Sequence, residues 1–328
     1  MSKVPIVSQP TPLERLPRLS ETLGIDLFVK RDDLAGPSLG GNKSRQLEYY
    51  FGAALEAGAD TVLITGAVQS NFVRLTAAVA ATLGMQAVVQ LEDRVGDHSQ
   101  EYQAGGNALL CDLLGARILR YPKGEDEAGA DAALHTHAEI LRAERYKPYV
   151  IHLSEGHPPL GALGYVDAAH EILAQNSGFD FFVVASGSGS THSGLLAGLR
   201  GAGSTARVIG SCVRRPARAQ AARISRIISR LSDISNDARA VKESDIEIWD
   251  GALAPGYGQP GQPAVDAMKL MARQAGLVLD PVYTSKSFAA IPALVESGQI
   301  PRGSRVCFVH TGGLGALGAY GTAIRDIL

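Results

Sequence analysis

Residues 61–91, TVLITGAVQSNFVRLTAAVAATLGMQAVVQL, decide the fold. A short β-branched, apolar run from Thr61 gives way to turn residues at 66–71. Ala and Leu then recur at helical spacing up to Gly84, and a second apolar run follows from Met85. This is a strand, a turn, a helix and a strand, the grammar of βα units. DFFVVASGSGSTHSGLLAGL from Asp180 and RVCFVHTGGLGALGAYG from Arg305 follow the same plan of strand, turn and helical stretch. Strands joined through helices run parallel and are covered on both faces, so the sequence predicts an α/β protein with mainly parallel sheets flanked by helices. Ligands of such sheets sit beyond the carboxyl ends of the strands, where all three turns fall.

The chain of 328 residues is about twice a typical domain. Its 31 basic and 33 acidic residues nearly cancel, which gives no electrostatic reason to expect nucleic acid or an anionic membrane as partner. A small molecule is the expected ligand. Cys111, Cys212 and Cys307 lie far apart with no CxxC, so they are expected as buried free thiols. The N-terminal MSKVPIVSQPTPLERLPRL lacks a basic region followed by an apolar run, and the expected location is the cytoplasm. The arginine-rich run at 214–230 could be a nucleic-acid-binding helix, but Asp233, Asp237, Glu243 and Asp245 follow it, and a solvated amphipathic helix is expected. His135 with His137, and His152 with His157, have no acidic or cysteine neighbours at ligand spacing. They are expected in surface or capping roles, with no metal site.

Chemistry concentrates in a few segments. GGNKSRQLE at 40–48, following VKRDD at 29–33, puts Lys43 at the start of a helix behind two glycines. A lysine crowded out of water loses its proton readily, and the neutral amine condenses with an aldehyde. A lysine on the outer face of an amphipathic helix is the plainer reading. Gly36 and Gly41 have P-loop spacing, but Asn42 intervenes before Lys43 and Ser44 and breaks that pattern. SGSGSTHSG at 186–194 frees backbone N–H groups at a helix N-terminus, a cradle for a phosphate dianion. The dinucleotide alternative fails at His192, where a third glycine should stand; a tight turn without ligand is the other alternative. GAVQSNFVR at 66–74 offers Ser70 and Asn71 as donors to a carboxylate or phenolate, or as helix N-caps. LDPVYTSKS at 279–287 and VHTGGLGALG at 309–318 bring Tyr283, Thr284 and Thr311 beside strand ends.

With TPLERLPRL from Thr11, LEDR at 91–94, GN at 106–107 and GYG at 256–258, these segments resemble the fold-type II pyridoxal-phosphate enzymes. The likeness is to the D-cysteine desulfhydrase and 1-aminocyclopropane-1-carboxylate deaminase family, over nearly the whole chain. It implies a tryptophan synthase β-like fold with a small α/β domain at 46–160 and a large one formed by 1–45 and 161–328, assembled as a homodimer. It implies that Lys43 carries pyridoxal 5'-phosphate as a Schiff base and that Gly187, Ser188, Gly189, Ser190 and Thr191 hold the phosphate. Asn71 would contact the cofactor's 3' oxygen, and Thr284 and Thr311 would also bind the cofactor. Ser70 would lie beside the substrate carboxylate or reacting carbon, with Asn71, Phe72 and Tyr257 also against the substrate. Tyr257 and Tyr283 would line the pocket over the ring and share the catalytic work with Lys43 and Ser70.

Within the family the deaminases resemble one another in a glutamate after the tyrosine of DPVY, where this chain has Thr284, as the desulfhydrase-like members do. A hydroxyl there permits an unprotonated ring and a weaker electron sink, which suffices for losing a good β leaving group but not for opening a cyclopropane. The expected reaction is therefore α,β-elimination from a small β-substituted amino acid to pyruvate and ammonia. L-Cysteate sulfo-lyase, the ring-opening deaminase and a catalytically weak amino-acid-binding relative are the alternatives. Arg74 is the candidate for binding a sulfonate. Phe72 departs from the family's usual His or Gln and cannot hydrogen-bond a substrate group.

Overall fold

The computed structural model describes residues 1–8, 10–153 and 156–326. In chain order the strands are β1 Leu13–Arg15, β2 Asp26–Lys30, β3 Thr61–Ala67, β4 Gln86–Glu92, β5 Arg117–Tyr121, β6 Pro148–Ile151, β7 Phe181–Ser186, β8 Arg207–Cys212, β9 Glu247–Trp249, β10 Pro255–Gly256, β11 Gln259–Pro260 and β12 Arg305–Val309. The helices are α1 Pro17–Leu23, α2 Asn42–Glu56, α3 Asn71–Thr82, α4 Gln100–Ala104, α5 Gly106–Leu113, α6 Glu127–Ala143, α7 Leu160–Gln175, α8 Ser190–Gly201, α9 Ala217–Leu231, α10 Gln262–Ala275, α11 Thr284–Glu296 and α12 Gly321–Arg325.

Two sheets carry the architecture. One has the order β5-β4-β3-β6 and is parallel throughout. The other has the order β1-β2-β12-β7-β8-β9 and is parallel except for the edge strand β1, which pairs antiparallel with β2. The quoted stretch supplies β3, α3 and β4. All seven residues of β3 are buried, as a central parallel strand covered on both faces demands. One face of that sheet packs Val62 and Ile64 against Leu47 and Phe51 of α2 and Val73 of α3. The other packs Leu63 against Leu134, Ala138 and Leu141 of α6. Each such aliphatic side chain contributes about 1.5–3 kcal/mol when fully buried.

The unit from Asp180 behaves as read, with β7 entering α8 through residues 187–189. The one from Arg305 differs. After β12 the chain forms a 3₁₀ helix at Leu314–Tyr320 before α12, where an α-helical stretch was expected. Its glycines lower helix propensity, and Gly315 lies so close to Asn107 that a side chain there would collide with the Asn107 carbonyl oxygen. Close packing on α5 wins over local preference.

All three cysteines are buried and unbridged, as expected. Among the described residues no helix is long and apolar enough to cross a membrane.

Candidate active site

The carboxyl ends of β3, β4, β7, β8 and β12 converge on an open-sided cleft of about 1070 Å³. Lys43 lines it at the first turn of α2. The helix begins at Gly41, whose φ of +126° disfavours any side chain and whose Cβ would press on the Thr311 carbonyl. The backbone N–H of Asn42 donates to that same Thr311 oxygen at 3.1 Å, fixing the start of α2 to the end of β12.

Among the described residues Lys43 Nζ makes no hydrogen bond or ion pair; the ring of Phe72 lies 5.2 Å from it. The residue keeps some exposure to the cleft, yet the protein around its amine excludes water, and burial alone pushes its pKa down from 10.5 to about 8. Phe72 is buried in the apolar cluster beside Tyr50. The departure at this position therefore gives the lysine a dry wall.

Facing Lys43, residues 187–189 lead into α8. Gly189 takes φ +103°, and no side chain caps the helix, so the first-turn N–H groups remain for a ligand. The carbonyls of this loop are tied back from the cleft: Arg215 and Gln220 donate to Gly187 O at 3.3 and 3.1 Å, and Arg223 donates to Ser188 O at 2.7 Å. Thr191 Oγ1 accepts from Asn42 and from Gln46, each at 2.8 Å. These two bonds lock the lysine's helix to the anion-binding loop. An amine that loses its proton readily, opposite a free helix N-terminus, suits a ligand carrying both an aldehyde and a phosphate.

Ser70 caps α3 by accepting from Val73 N at 3.3 Å, and it also lines the cleft. Asn107 donates to the Asn71 carbonyl oxygen at 2.8 Å, which leaves the Asn71 amide NH₂ as a donor. Tyr257 and Tyr283 share a hydrogen bond of 2.5 Å between their hydroxyls, and burial raises the pKa of both, so each remains a phenol at neutral pH. Thr311 lines the cleft as well.

Two of the expected cofactor residues, Ser190 and Thr284, are not among those lining the cleft. Ser190 lies outside the cleft lining, among residues including Tyr50, Pro158 and Ile227. Thr284 is fully buried; its hydroxyl donates to Asp280 Oδ1 at 2.6 Å and accepts from Asp280 N at 2.7 Å. Asp280 further accepts the amides of Val282, Tyr283 and Thr284, so this pair holds the DPVY turn.

Three sequence expectations need correction. Arg74 does not face the cleft: it is fully buried behind it, donates to Gly40 O at 3.2 Å, and burial lowers its pKa to about 10. The arginine run is not merely a solvated face, because Arg214, Arg215 and Arg223 line the cleft together with Arg94. Glu127 meets Arg214 and Arg215 at 2.7 and 2.5 Å; burial raises its pKa, but Arg215, Arg223 and Arg214 outweigh that and hold it low. The signal was present, since Arg214 and Arg215 lie just beyond the end of β8, after Val213, a ligand-facing position by the same rule that marked the other turns. Lastly, His135 is exposed and His152 and His157 half-buried, in keeping with a surface position, but the three are not separate groups: they form one cluster. Burial, and then His157, push the pKa of His152 down to about 4.

Residues 6–312 match the family described as pyridoxal-phosphate dependent enzyme. D-cysteine desulfhydrase of Salmonella choleraesuis (strain SC-B67) is 41% identical over 321 residues, covering 97% of this chain and 96% of the relative. Its counterpart in Salmonella typhi is 40% identical with the same coverage. The crystal structure of an ACC deaminase homologue superposes with a TM-score of 0.88 at 34% identity, over 100% of this chain and 97% of that one. O-ureido-L-serine synthase shares the fold at a TM-score of 0.69 and 19% identity, covering 96% of this chain and 92% of its own.

Proposed function

The chain belongs to the pyridoxal-phosphate dependent enzymes, and from that membership we propose that it is a lyase eliminating the β substituent of a small amino acid, with D-cysteine as substrate. The balance is D-cysteine plus water giving pyruvate, ammonia and hydrogen sulfide. Pyridoxal 5'-phosphate supplies the electron sink that makes the α proton acidic. Lys43 would hold the cofactor, and its amine, of lowered pKa, is placed to accept the α proton of a substrate bound in the same cleft. The free amides at the start of α8 would hold its phosphate, and the Asn71 side-chain NH₂ would donate to its 3' oxygen. Ser70 orients the substrate carboxylate. The hydroxyl pair of Tyr257 and Tyr283 passes a proton to the departing thiolate, and 2-aminoacrylate then hydrolyses in water. The observation that carries this reading is the unpaired Lys43 amine, depressed to about 8, in one cleft with the uncapped N-terminus of α8.

The arginines favour a second reading. Arg94, Arg214, Arg215 and Arg223 meet Glu92, Glu127 and Asp131 in the cleft lining, a surplus of positive charge that suits an anionic β substituent such as the sulfonate of L-cysteate. Much of that charge is already engaged by Glu127, Glu92 and loop carbonyls, which is why the thiol substrate is preferred. The same family reading assigns 46–160 to a small domain and 1–45 with 161–328 to a large one. It also takes the protein as a cytoplasmic homodimer. The division of strands between two sheets supports the domains, and exposed Leu109 and Leu113, one turn apart on α5, offer an apolar surface for a partner. Pyruvate release across a panel of D- and L-cysteine, L-cysteate, β-chloro-D-alanine and 1-aminocyclopropane-1-carboxylate tests the reading. D-Cysteine should give the highest kcat/KM with sulfide in equal yield; a preference for L-cysteate would establish the second reading, and turnover of none would refute both.

A further inference from the structure

Three histidines, distant in sequence, meet at one edge of the cleft. His135 projects from the middle of α6, His152 follows β6 and His157 precedes α7. The rings of His152 and His157 lie face to face, with centroids 3.4 Å apart and 6° between their planes; the ring of His135 is 5.0 Å from that of His152. One ring nitrogen from each residue lies within 4.8 Å of the other two. Among the described residues, the buried His152 Nδ1 has no hydrogen-bond partner, and none of the three rings is paired with a carboxylate. Hydrogen bonding thus gives no reason for the gathering.

We propose that His135, His152 and His157 form a binding site for a divalent transition-metal ion of the zinc, nickel and copper class, with water completing its coordination. Neutral imidazoles select that class over magnesium or calcium, which prefer oxygen ligands. Nitrogens bound at about 2.0–2.1 Å lie no more than about 4.2 Å from one another. The observed 4.8 Å bound is therefore closed by moving the ring nitrogens less than about an ångström, but His152 and His157 must also turn out of their parallel stack, because a metal lies near the plane of each imidazole it binds; His135 is exposed and free to turn. Asp131, one turn before His135 on α6 and in the cleft lining, is placed to hydrogen-bond a metal-bound water. The ion would clip α6 to the connection between β6 and α7. Leu153, which lines the cleft, belongs to that connection, so the clip stiffens the rim beside the small pocket that His152 and His157 share with Ser188 and Ser190 at the start of α8.

The test is independent of the proposed reaction. Holoenzyme stripped with a chelator and dialysed is titrated with Zn²⁺ by isothermal calorimetry, alongside His135→Gln and the double variant His135→Gln/His157→Gln. Cofactor absorbance and circular dichroism check that all three are folded. One equivalent of Zn²⁺ per chain should bind, and His135→Gln should bind it at least about tenfold more weakly, since even outer-shell changes cost about 10–100-fold. The double variant should lose the site. Failure of the parent to bind more tightly than the double variant, or unchanged binding in the double variant, would overturn the proposal.

Discussion

Cofactor uptake by the apoprotein should follow the ionisation of Lys43, which makes pH the most informative perturbation. Burial moves the amine from 10.5 to about 8, equivalent to about 3 kcal/mol against the ammonium form. The ring of Phe72 at 5.2 Å acts oppositely, because a cation over an aromatic face gains about 0.5–2 kcal/mol. Desolvation wins, and with that offset of about 0.4–1.5 pK units the inflection is expected between about 8 and 9.5. With a value near 8, about a tenth of the amine is neutral at pH 7, roughly 300-fold more than for a lysine in water. The sign is that of a base whose charge folding disfavours: uptake falls as pH drops below the inflection and is flat above it. The second phosphate ionisation of the cofactor, near 6, lies below this window and does not interfere. Stopped-flow absorbance during addition of pyridoxal 5'-phosphate to apoprotein from pH 6.5 to 10.5 gives the profile. Lys286 is also lowered to about 8, but its amine donates to the carbonyls of Leu253 and Gly256, and Lys43→Ala separates the two. A rate that climbs tenfold per pH unit through pH 10, or a Lys43→Ala protein with an unchanged profile, would refute the assignment.

Removing the Tyr283 hydroxyl as Tyr283→Phe breaks its bond to Tyr257 and should lower kcat for D-cysteine by about 10²–10⁴, with cofactor absorbance intact; parental turnover would exclude it from proton transfer. Arg45→Met should cost about 3–5 kcal/mol in urea unfolding, because Asp32 and Glu171 would keep buried charge without their main partner. A loss under about 1 kcal/mol would show that Lys30 compensates. His192 is fully buried and held neutral, with burial lowering its pKa to about 4. The unfolded chain takes up a proton below pH 6.5 while the native state does not, so stability is lost between pH 6.5 and 4, by up to about 3 kcal/mol from this group. His192→Asn should flatten that part of the urea midpoint profile, and an unchanged slope would assign the loss elsewhere.

Local sequence periodicity revealed β3-α3-β4 and β7-α8 because their strands are buried on both faces and their turns are set by glycine, serine and asparagine. It misplaced the segment after β12, where contact between Gly315 and Asn107, far apart in sequence, decides the conformation. The Lys43 and 187–189 segments could be recognised as ligand-facing from their composition and position after strands. What held them together could not. Lys30 and Asp32 of VKRDD and Arg45 of GGNKSRQLE form a buried ionic network with Glu171, Thr11 and Tyr165 that fixes α2 from behind. The arginines after β8 stand where the strand-end rule points to a ligand, whereas their partner Glu127 and the histidine cluster were not legible, because spacing along the chain carries no record of partners supplied by α6 and by the approach to α7.

Reduction of the holoenzyme with borohydride, followed by proteolysis and mass spectrometry, tests the central claim most directly. A pyridoxyl group on the peptide containing Lys43, and on no other lysine, is the result expected. Label on Lys286 or on a surface lysine would contradict it.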